Sequence, residues 1–251
     1  MINTESRKYK GLGLYVLIFF MLCVHVPLLG ILAFSNSFTE EILPFFTLLD
    51  AYYMFQLIFN PVLLSSLVKK MVEIEEKNNM FQLQEMLGVE SSTLLFRKWS
   101  WLSLRLFILQ LVEWALILPM AARSNHFHLS QVASAQVAVV FCSQWVIASA
   151  FVALFLILDT RSKSHYFTLF FSMAGALSGI LSMLTSHALT LINPFAWTAS
   201  LLIISYVKDS VGFTRVINPI SWLSLVVSLV GLLLCLFIIK KHTRIRRDKT
   251  I

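Results

Sequence analysis

The chain has 251 residues, of which 58% are hydrophobic and only 13% are charged, and its mean hydropathy is +0.79. A soluble domain carries roughly twice that share of charge, so the composition excludes an ordinary soluble protein and indicates one that lies in lipid. The net charge is +7, but the basic residues flank apolar segments and form no nucleic-acid-binding stripe, which excludes a nucleic-acid partner.

Six apolar segments are long enough to cross a bilayer as helices, for which about 20 residues are needed. The first is too long for a signal-peptide core and lacks a small-residue cleavage site, so we expect it to be retained. The prediction is therefore an all-α, polytopic membrane protein with a single transmembrane domain over 1–251. In chain order the predicted spans are 15–34, 45–68, 99–121, 132–158, 166–184 and 219–239.

The loop 69–98, between the second and third spans, is the one sizeable hydrophilic stretch. It contains no Pro, it begins with acidic residues, and its apolar residues recur at near-helical spacing before Gly88, which predicts an amphipathic helix. Five acidic residues between Glu73 and Glu90 fit poorly with an anionic lipid surface, so a soluble partner is the better explanation. The predicted docking residues are Glu73, Glu75, Glu76, Lys77, Met80, Phe81, Leu83, Gln84 and Leu87.

The third span carries two charged residues, Arg105 and Glu113. A charge near the bilayer centre costs about 2.5 to 3.5 kcal/mol, so neither should face lipid. Arg105 lies close enough to the inner interface to extend its charge there, whereas Glu113 lies deeper. We predict that Glu113 either packs in the interior or contacts substrate or a partner subunit. In the first span, His25 is expected to be a core histidine rather than a proton relay.

Between spans five and six, the segment 189–207 is also apolar enough for a helix, but Asn193 and Pro194 interrupt it. A seventh crossing would put one basic terminus outside. We therefore predict six spans, with an external re-entrant or interfacial helix within 185–218. Trp197 in this segment is a candidate substrate contact, although such aromatic residues ordinarily anchor helices at the headgroups. Gly175 and Gly179 form a small-residue face for packing, either within one subunit or between subunits.

Basic residues cluster on one side of the predicted membrane. If the N-terminus is cytoplasmic, the outer segments hold only Arg123, Lys208 and Arg215. The inner segments then hold sixteen of the twenty Lys and Arg residues, and this bias predicts cytoplasmic termini. The inner residues are Arg7, Lys8, Lys10, Lys69, Lys70, Lys77, Arg97, Lys98, Arg161, Lys163, Lys240, Lys241, Arg244, Arg246, Arg247 and Lys249.

The sequence carries none of the common motifs for catalysis or metal binding. The chain has no G-x-x-x-x-G-K-[ST] loop for nucleotide phosphates, no H-E-x-x-H and no G-x-S-x-G. His126 and His128 are too few ligands for a structural zinc site, and the three Cys residues lie inside apolar spans, where thiols behave as small hydrophobes. We predict no catalytic residues, no cofactor and no metal in this chain.

One stretch carries a family resemblance. The loop reads Glu75-Glu76-Lys77-Asn78-Asn79-Met80-Phe81-Gln82-Leu83-Gln84, then Met86-Leu87-Gly88-Val89, and Arg97-Lys98 precede the third span. An acidic helix, a short turn and a basic residue in this order resemble the type-2 ABC exporter permeases, and the six-span outline with a basic start and tail is similar too. Asn79-Met80 and Gly88 stand where the family typically has Gly-Thr or Gly-Ser and Pro.

The resemblance implies a permease subunit of a split ABC exporter, with ATP and Mg²⁺ held by a separate ATPase that docks on the loop 69–98. It also implies a second permease, either the same chain or a sister. The size and the Phe- and Leu-rich spans look most like permease subunits of lantibiotic immunity transporters, which expel a peptide antibiotic from the bacterial cytoplasmic membrane. The alternative is a non-transporting immunity or sensor protein that binds an antimicrobial peptide.

Overall fold

The computed structural model describes residues 13–77, 83–84, 86–162, 166–209, 212–218 and 222–241. Six helices within these ranges are long and apolar enough to cross a membrane, which confirms the predicted six-span, helical architecture. They are α1 (Leu14–Ala33), α2 (Pro44–Lys77), α3 (Ser91–Ala121), α4 (Ala135–Arg161), α5 (Phe167–Thr185) and α6 (Trp222–Lys241).

The helices form one bundle around α4. Over the most apolar 18-residue segment of each helix, 72% of α4 is buried, compared with 22% of α1 and 22% of α6. α4 packs on α2, α3 and α6, while α2 packs on α1, α4 and α5. Because α1, α5 and α6 leave broad apolar faces uncovered, these helices form the part of the bundle suited to contact with lipid.

Three of the long helices contain an internal proline, namely Pro27, Pro61 and Pro119. Proline removes one backbone hydrogen bond, but neighbouring helices in a membrane bundle can satisfy the freed groups. Elsewhere the helix ends follow the ordinary rules. α4 begins after Ser134, whose hydroxyl accepts a hydrogen bond from the Val137 backbone N–H at 3.3 Å, and Gly88 takes a left-handed φ of 81° before α3.

Two helices are longer than a bilayer requires. α2 has 34 residues and α3 has 31, or about 51 and 46 Å of helix against a hydrocarbon layer of about 30 Å. α2 continues to Lys77 where the hydropathy predicted an end near 68, and α3 begins at Ser91 rather than near 99. Glu and Lys are good helix formers, so the helices persist after the apolar residues end. We call this projecting pair of helix ends the α2–α3 protrusion.

The helix ends divide the bundle into two opposite faces. The basic end is the face where α2 ends and α3 begins, and Lys69 there lies over the Tyr166 ring at 4.7 Å, next to the start of α5. The opposite face, the hairpin end, carries an antiparallel β-hairpin of β1 (Ile204–Asp209) and β2 (Gly212–Ile217), in which Ile204 pairs with Ile217. Short helical turns at Asn36–Glu40 and Leu129–Val132 complete the connections at this end.

The segment between α5 and the hairpin is not the single helix expected from its hydropathy. It comprises a short helix, His187–Ile192, and a 3₁₀ segment, Pro194–Leu201. Asn193 donates hydrogen bonds to the hydroxyls of Ser178 and Ser182 at 3.1 and 2.9 Å, so the chain runs back alongside α5. The segment therefore turns in between the helices rather than lying across their ends.

Phe195 fits into the small-residue face of α5. A Cβ added at Gly175 would lie 2.3 Å from the Phe195 ring, and one added at Gly179 would lie 2.6 Å from the Phe195 backbone oxygen. The ring also contacts Phe151 of α4, with centroids 5.4 Å apart. The two glycines are thus used for packing within one subunit, the first of the two alternatives that the sequence left open.

Candidate functional site

Glu113 lies at the centre of a buried polar cluster built from four helices. Its side chain on α3 is 2% exposed, and its Oε1 lies 2.7 Å from Nδ1 of His25 on α1. Because a carboxylate accepts hydrogen bonds, the imidazole N–H donates here. The hydroxyl of Tyr52 on α2 donates to the other oxygen, Oε2. Glu113 therefore packs in the interior, and His25 is its partner rather than an isolated core residue.

Gln144 of α4 extends the cluster towards the hairpin end. Its Nε2 donates to the Tyr52 hydroxyl at 2.6 Å, and its Oε1 accepts a hydrogen bond from the Trp114 indole at 3.0 Å. The Tyr53 hydroxyl makes a longer contact of 3.4 Å with the same oxygen. Hydrogen bonds of this kind in a low-dielectric interior fix the relative positions of the helices that contribute them.

A small cavity opens beside this cluster. It is lined by the polar side chains of His25, Gln56, Asn60, Gln110 and Glu113 together with apolar residues of α1 to α4, and it leaves about 20 Å³ for the centre of a water molecule, which is enough for one. Three of its buried atoms, His25 Nε2, Gln56 Oε1 and Asn60 Oδ1, have no hydrogen-bond partner in the part of the chain that the structure describes. The cavity is therefore polar and incompletely satisfied.

A second polar contact holds the α2–α3 protrusion together. Nζ of Lys98 on α3 donates to Oε1 of Glu75 on α2 at 2.8 Å, with side chains 1% and 4% exposed. Gln84 makes a long contact of 3.5 Å from its Nε2 to the other Glu75 oxygen. Glu75, predicted as a docking residue, thus faces inward and ties the two helices to each other.

Apolar side chains are exposed at the tip of the protrusion. Leu83 is 50% exposed, Met86 84% and Leu87 75%. The chain turns at this point, since the Val89 backbone N–H donates to the Gln84 backbone oxygen at 3.0 Å. Apolar residues grouped on a projecting turn suit a contact with a partner. We call Leu83, Met86 and Leu87 the tip residues.

The remaining docking residues have mixed positions. Glu73 and Glu76 are half-buried on the last turns of α2, and Lys77 is the final residue of that helix. Met80 and Phe81 lie outside the described residues. The acidic residues therefore lie on the continuation of α2 and do not begin a separate helix after it.

Trp197, the candidate substrate contact, has a packing role in the structure. Its indole N–H donates to the Leu191 backbone oxygen at 2.8 Å, and a Cβ added at Gly231 of α6 would lie 2.2 Å from its ring. The ring is half-buried. It joins the 3₁₀ segment to α6 without forming part of the Glu113 cluster.

Asp50 holds the base of the β-hairpin. Its two carboxylate oxygens accept hydrogen bonds from the backbone N–H groups of Ile203 and Ile204 at 2.7 and 2.8 Å. Asn218 closes the other strand, with its backbone N–H donating to the Ile203 oxygen at 2.7 Å. The hairpin is thus fixed to α2, the same helix that carries Tyr52 and Glu75.

The H-x-H pair lies at the hairpin end, apart from the buried cluster. His126 Nε2 is 3.9 Å from Oε2 of Glu40, and both side chains are exposed. Among the described residues no group of three His, Cys, Asp or Glu side chains is placed to hold a metal ion. The three cysteines, Cys23, Cys142 and Cys235, are free thiols.

Sequence reasoning singled out Glu113 but missed its partners. His25 and Tyr52 lie 88 and 61 positions away from it, so no local spacing connects them. The one available signal was a polar residue at a buried position on each of three neighbouring spans, since such groups must find one another in a bilayer.

Comparison with known proteins adds no constraint, because no family model, no curated protein and no solved structure matches the chain.

Proposed function

We propose that this chain is the membrane-spanning permease subunit of a split ABC exporter, which expels a lantibiotic or a similar amphiphilic peptide. A separate ATPase subunit drives it, and a second permease, identical or related, completes the transport path. Both termini lie in the cytoplasm in this proposal, so the basic end is the cytoplasmic face. The observation that carries the proposal is the α2–α3 protrusion, whose helix ends are joined by the buried Glu75–Lys98 pair and which has an exposed apolar tip.

A protrusion of this kind suits the transmission of force. α2 and α3 each continue as one helix beyond the length that a bilayer requires, and the buried Glu75–Lys98 pair joins these helix ends. Helices locked in this way move together, so a displacement of the tip tilts both. The same two helices hold Tyr52 and Glu113 in the bundle, and tilting them changes the packing in its centre.

The tip offers a surface for a soluble partner. Its exposed Leu83, Met86 and Leu87 are apolar, and Glu73, Glu76 and Glu90 lie nearby in the sequence. An apolar centre with a polar rim is the usual composition of a protein interface. Insertion of the tip in an anionic lipid surface is disfavoured by these carboxylates.

The apolar faces of α1, α5 and α6 are available for the second permease and for the substrate. Phe19, Phe170 and Phe237 on these helices are 63%, 73% and 65% exposed. The Gly175–Gly179 face is occupied by Phe195, so a subunit contact must use another surface. An amphiphilic peptide can reach such faces directly from the bilayer.

The test is affinity purification of the tagged chain from its native membrane in mild detergent, with mass spectrometry of the co-purified proteins. We expect a stoichiometric ATP-binding-cassette subunit. In the variant Leu87→Glu its recovery should fall at least tenfold, because a carboxylate at the centre of an apolar contact is buried without a partner. Leu129→Glu is the matched control, since Leu129 is also 75% exposed but lies at the hairpin end.

The proteins that co-purify with the chain distinguish an exporter subunit from a non-transporting protein. Loss of the ATPase in Leu87→Glu alone supports the docking assignment, and a second six-span protein in the wild-type sample identifies a heterodimer. Recovery of the wild-type chain without any ATPase, under conditions that keep other transporters intact, would falsify the exporter proposal. Binding of an antimicrobial peptide by that ATPase-free chain would then favour the non-transporting immunity or sensor protein.

A further inference from the structure

The cavity beside Glu113 combines a buried carboxyl group with unpaired polar atoms. Glu113 receives hydrogen bonds from His25 and Tyr52, and neither donor carries a permanent positive charge. When the carboxyl group is ionised and the imidazole is neutral, the cluster carries one unbalanced negative charge inside the bundle. An unbalanced charge raises the free energy of a protein in a bilayer, so a site that holds one normally also holds a counter-charge.

No other charged side chain supplies that counter-charge among the described residues. Arg105, on α3, is about 12 Å of helix rise away and lies over the rings of Tyr15 and Trp101 at 5.7 and 5.4 Å. Asp50 is engaged with the hairpin backbone. The ionisable side chains of the hydrogen-bonded cluster beside the cavity are His25 on α1, Tyr52 and Tyr53 on α2, and Glu113 on α3, while α4 contributes the neutral Gln144.

We propose that this cavity is a binding site for one monovalent cation, either a proton or an alkali ion such as Na⁺. The three unpaired atoms support this assignment independently of the charge balance. Gln56 and Asn60 are 3% and 7% exposed, and His25 is 1% exposed. All three line the cavity, and the amide oxygens of Gln56 and Asn60 and the Nε2 atom of His25 have no hydrogen-bond partner among the described residues. One positive charge satisfies both the carboxylate and these atoms.

The two forms of the cation use the same groups in different ways. An added proton makes both imidazole nitrogens of His25 donors, so Nε2 donates towards the amide oxygens of Gln56 and Asn60, directly or through one water. An alkali ion is instead coordinated by oxygen atoms, as hard cations are. Binding is a simple association in both cases. A proton forms an N–H bond, an alkali ion forms coordination contacts, and no covalent bond in the protein is broken.

A water molecule alone is the competing occupant, because the cavity has room for one. Water satisfies the unpaired oxygens but leaves the cluster's charge unbalanced. The two occupants therefore differ in a measurable way. A cation site makes stability depend on the cation concentration or on pH, whereas a water site does not.

The experiment measures thermal unfolding of the purified full-length chain in detergent, with NaCl, KCl or choline chloride at equal ionic strength and at several pH values. If an alkali ion binds, NaCl or KCl raises the apparent Tm by about 5 °C or more over choline at high pH, on the usual relation between ligand concentration and stability. If a proton binds, the Tm in choline falls as the pH is raised, because the proton-loaded native form is lost.

Two variants and one control make the test specific. Glu113→Gln removes the charge and should abolish the dependence on the alkali ion or on pH. Gln56→Leu removes one amide oxygen and should weaken the apparent affinity at least tenfold. Glu90→Gln removes the charge of an exposed carboxylate next to the start of α3 and is the matched control, so it should keep the wild-type dependence on the cation and on pH.

The wild-type chain alone can overturn the proposal, even if a variant fails to fold. A wild-type Tm that is the same in NaCl, KCl and choline at every pH, and that does not fall as the pH is raised, shows that the cavity holds water or nothing. A cation effect that persists unchanged in Glu113→Gln also contradicts it, because the ion then binds elsewhere.

Discussion

His25 and Glu113 lie 88 positions apart in the sequence, yet His25 Nδ1 and Glu113 Oε1 are 2.7 Å apart in the middle of the bundle. The contact joins α1 to α3, and Tyr52 adds α2 to it. All three side chains are almost fully buried. Three consecutive spans are therefore held at one carboxylate.

Removal of one partner of this pair is expected to destabilise the fold strongly. In His25→Leu the Glu113 carboxyl group loses a buried hydrogen-bond donor, which costs about 1.5 to 3 kcal/mol for a bond to a charged group. The double variant His25→Leu with Glu113→Leu should recover part of this loss, since neither polar group is then left unpaired. Thermal unfolding of the single and double variants in detergent measures the coupling. Additive effects of the two changes would contradict it.

Breaking the Glu75–Lys98 pair should loosen the α2–α3 protrusion. Lys98→Met removes the ammonium group from the buried Glu75 carboxylate, at a cost of about 3 to 5 kcal/mol for a broken buried pair. We expect faster proteolysis between α2 and α3 as a result. The charge swap Glu75→Lys with Lys98→Glu should restore resistance. Limited proteolysis of the inserted protein reads out both variants. Failure of the swap, together with an unaffected Lys98→Met, would show that the pair does not fix the protrusion.

The small residues of α5 are expected to be intolerant of even one methyl group. Gly179→Ala places a Cβ 2.6 Å from the Phe195 backbone oxygen, and relief of such a clash costs about 1 to 3 kcal/mol. Gly30→Ala is the matched control, because no atom lies within 4 Å of its added Cβ. The control should be neutral or stabilising by up to about 1 kcal/mol, since Ala is the better helix former. Thermal unfolding of both variants makes the comparison.

Loss of the Asp50 carboxylate should free the β-hairpin from α2. Asp50→Ala leaves the N–H groups of Ile203 and Ile204 without their acceptors, at a cost of about 1 to 3 kcal/mol each where they stay buried. We expect faster hydrogen exchange at these two amides with little change in the centre of α4. Hydrogen exchange with mass spectrometry of the detergent-solubilised chain tests this, and protection equal to wild type at both amides would contradict it.

The apolar segments predicted all six spans because the requirement for about 20 lipid-compatible residues is strict. Hydropathy did not show where α2 ends or where α3 begins, since a helix can continue into water through Glu and Lys residues beyond the apolar residues. For this reason Glu73, Glu75 and Glu76 lie on α2 itself rather than on a separate helix.

The segment between α5 and α6 was the least predictable part of the fold. Its apolar residues suggested a helix over 189–207, but the inserted 3₁₀ segment and the hairpin are set by contacts from distant residues, including Asp50 and Gly175. The buried cluster was beyond reach for the same reason. A single sequence places polar residues along each span but does not show which of them face one another.

The position of Glu113 in the third helix has a consequence for biosynthesis. A chain emerges from the ribosome N-terminus first, so α1 and α2 are made before α3. His25 and Tyr52 are thus already present when the carboxylate of Glu113 reaches the bilayer, where an unpaired charge costs about 2.5 to 3.5 kcal/mol. The order of the helices along the gene supplies the partners before the group that needs them. We therefore expect insertion of the third helix to depend on the presence of the first two.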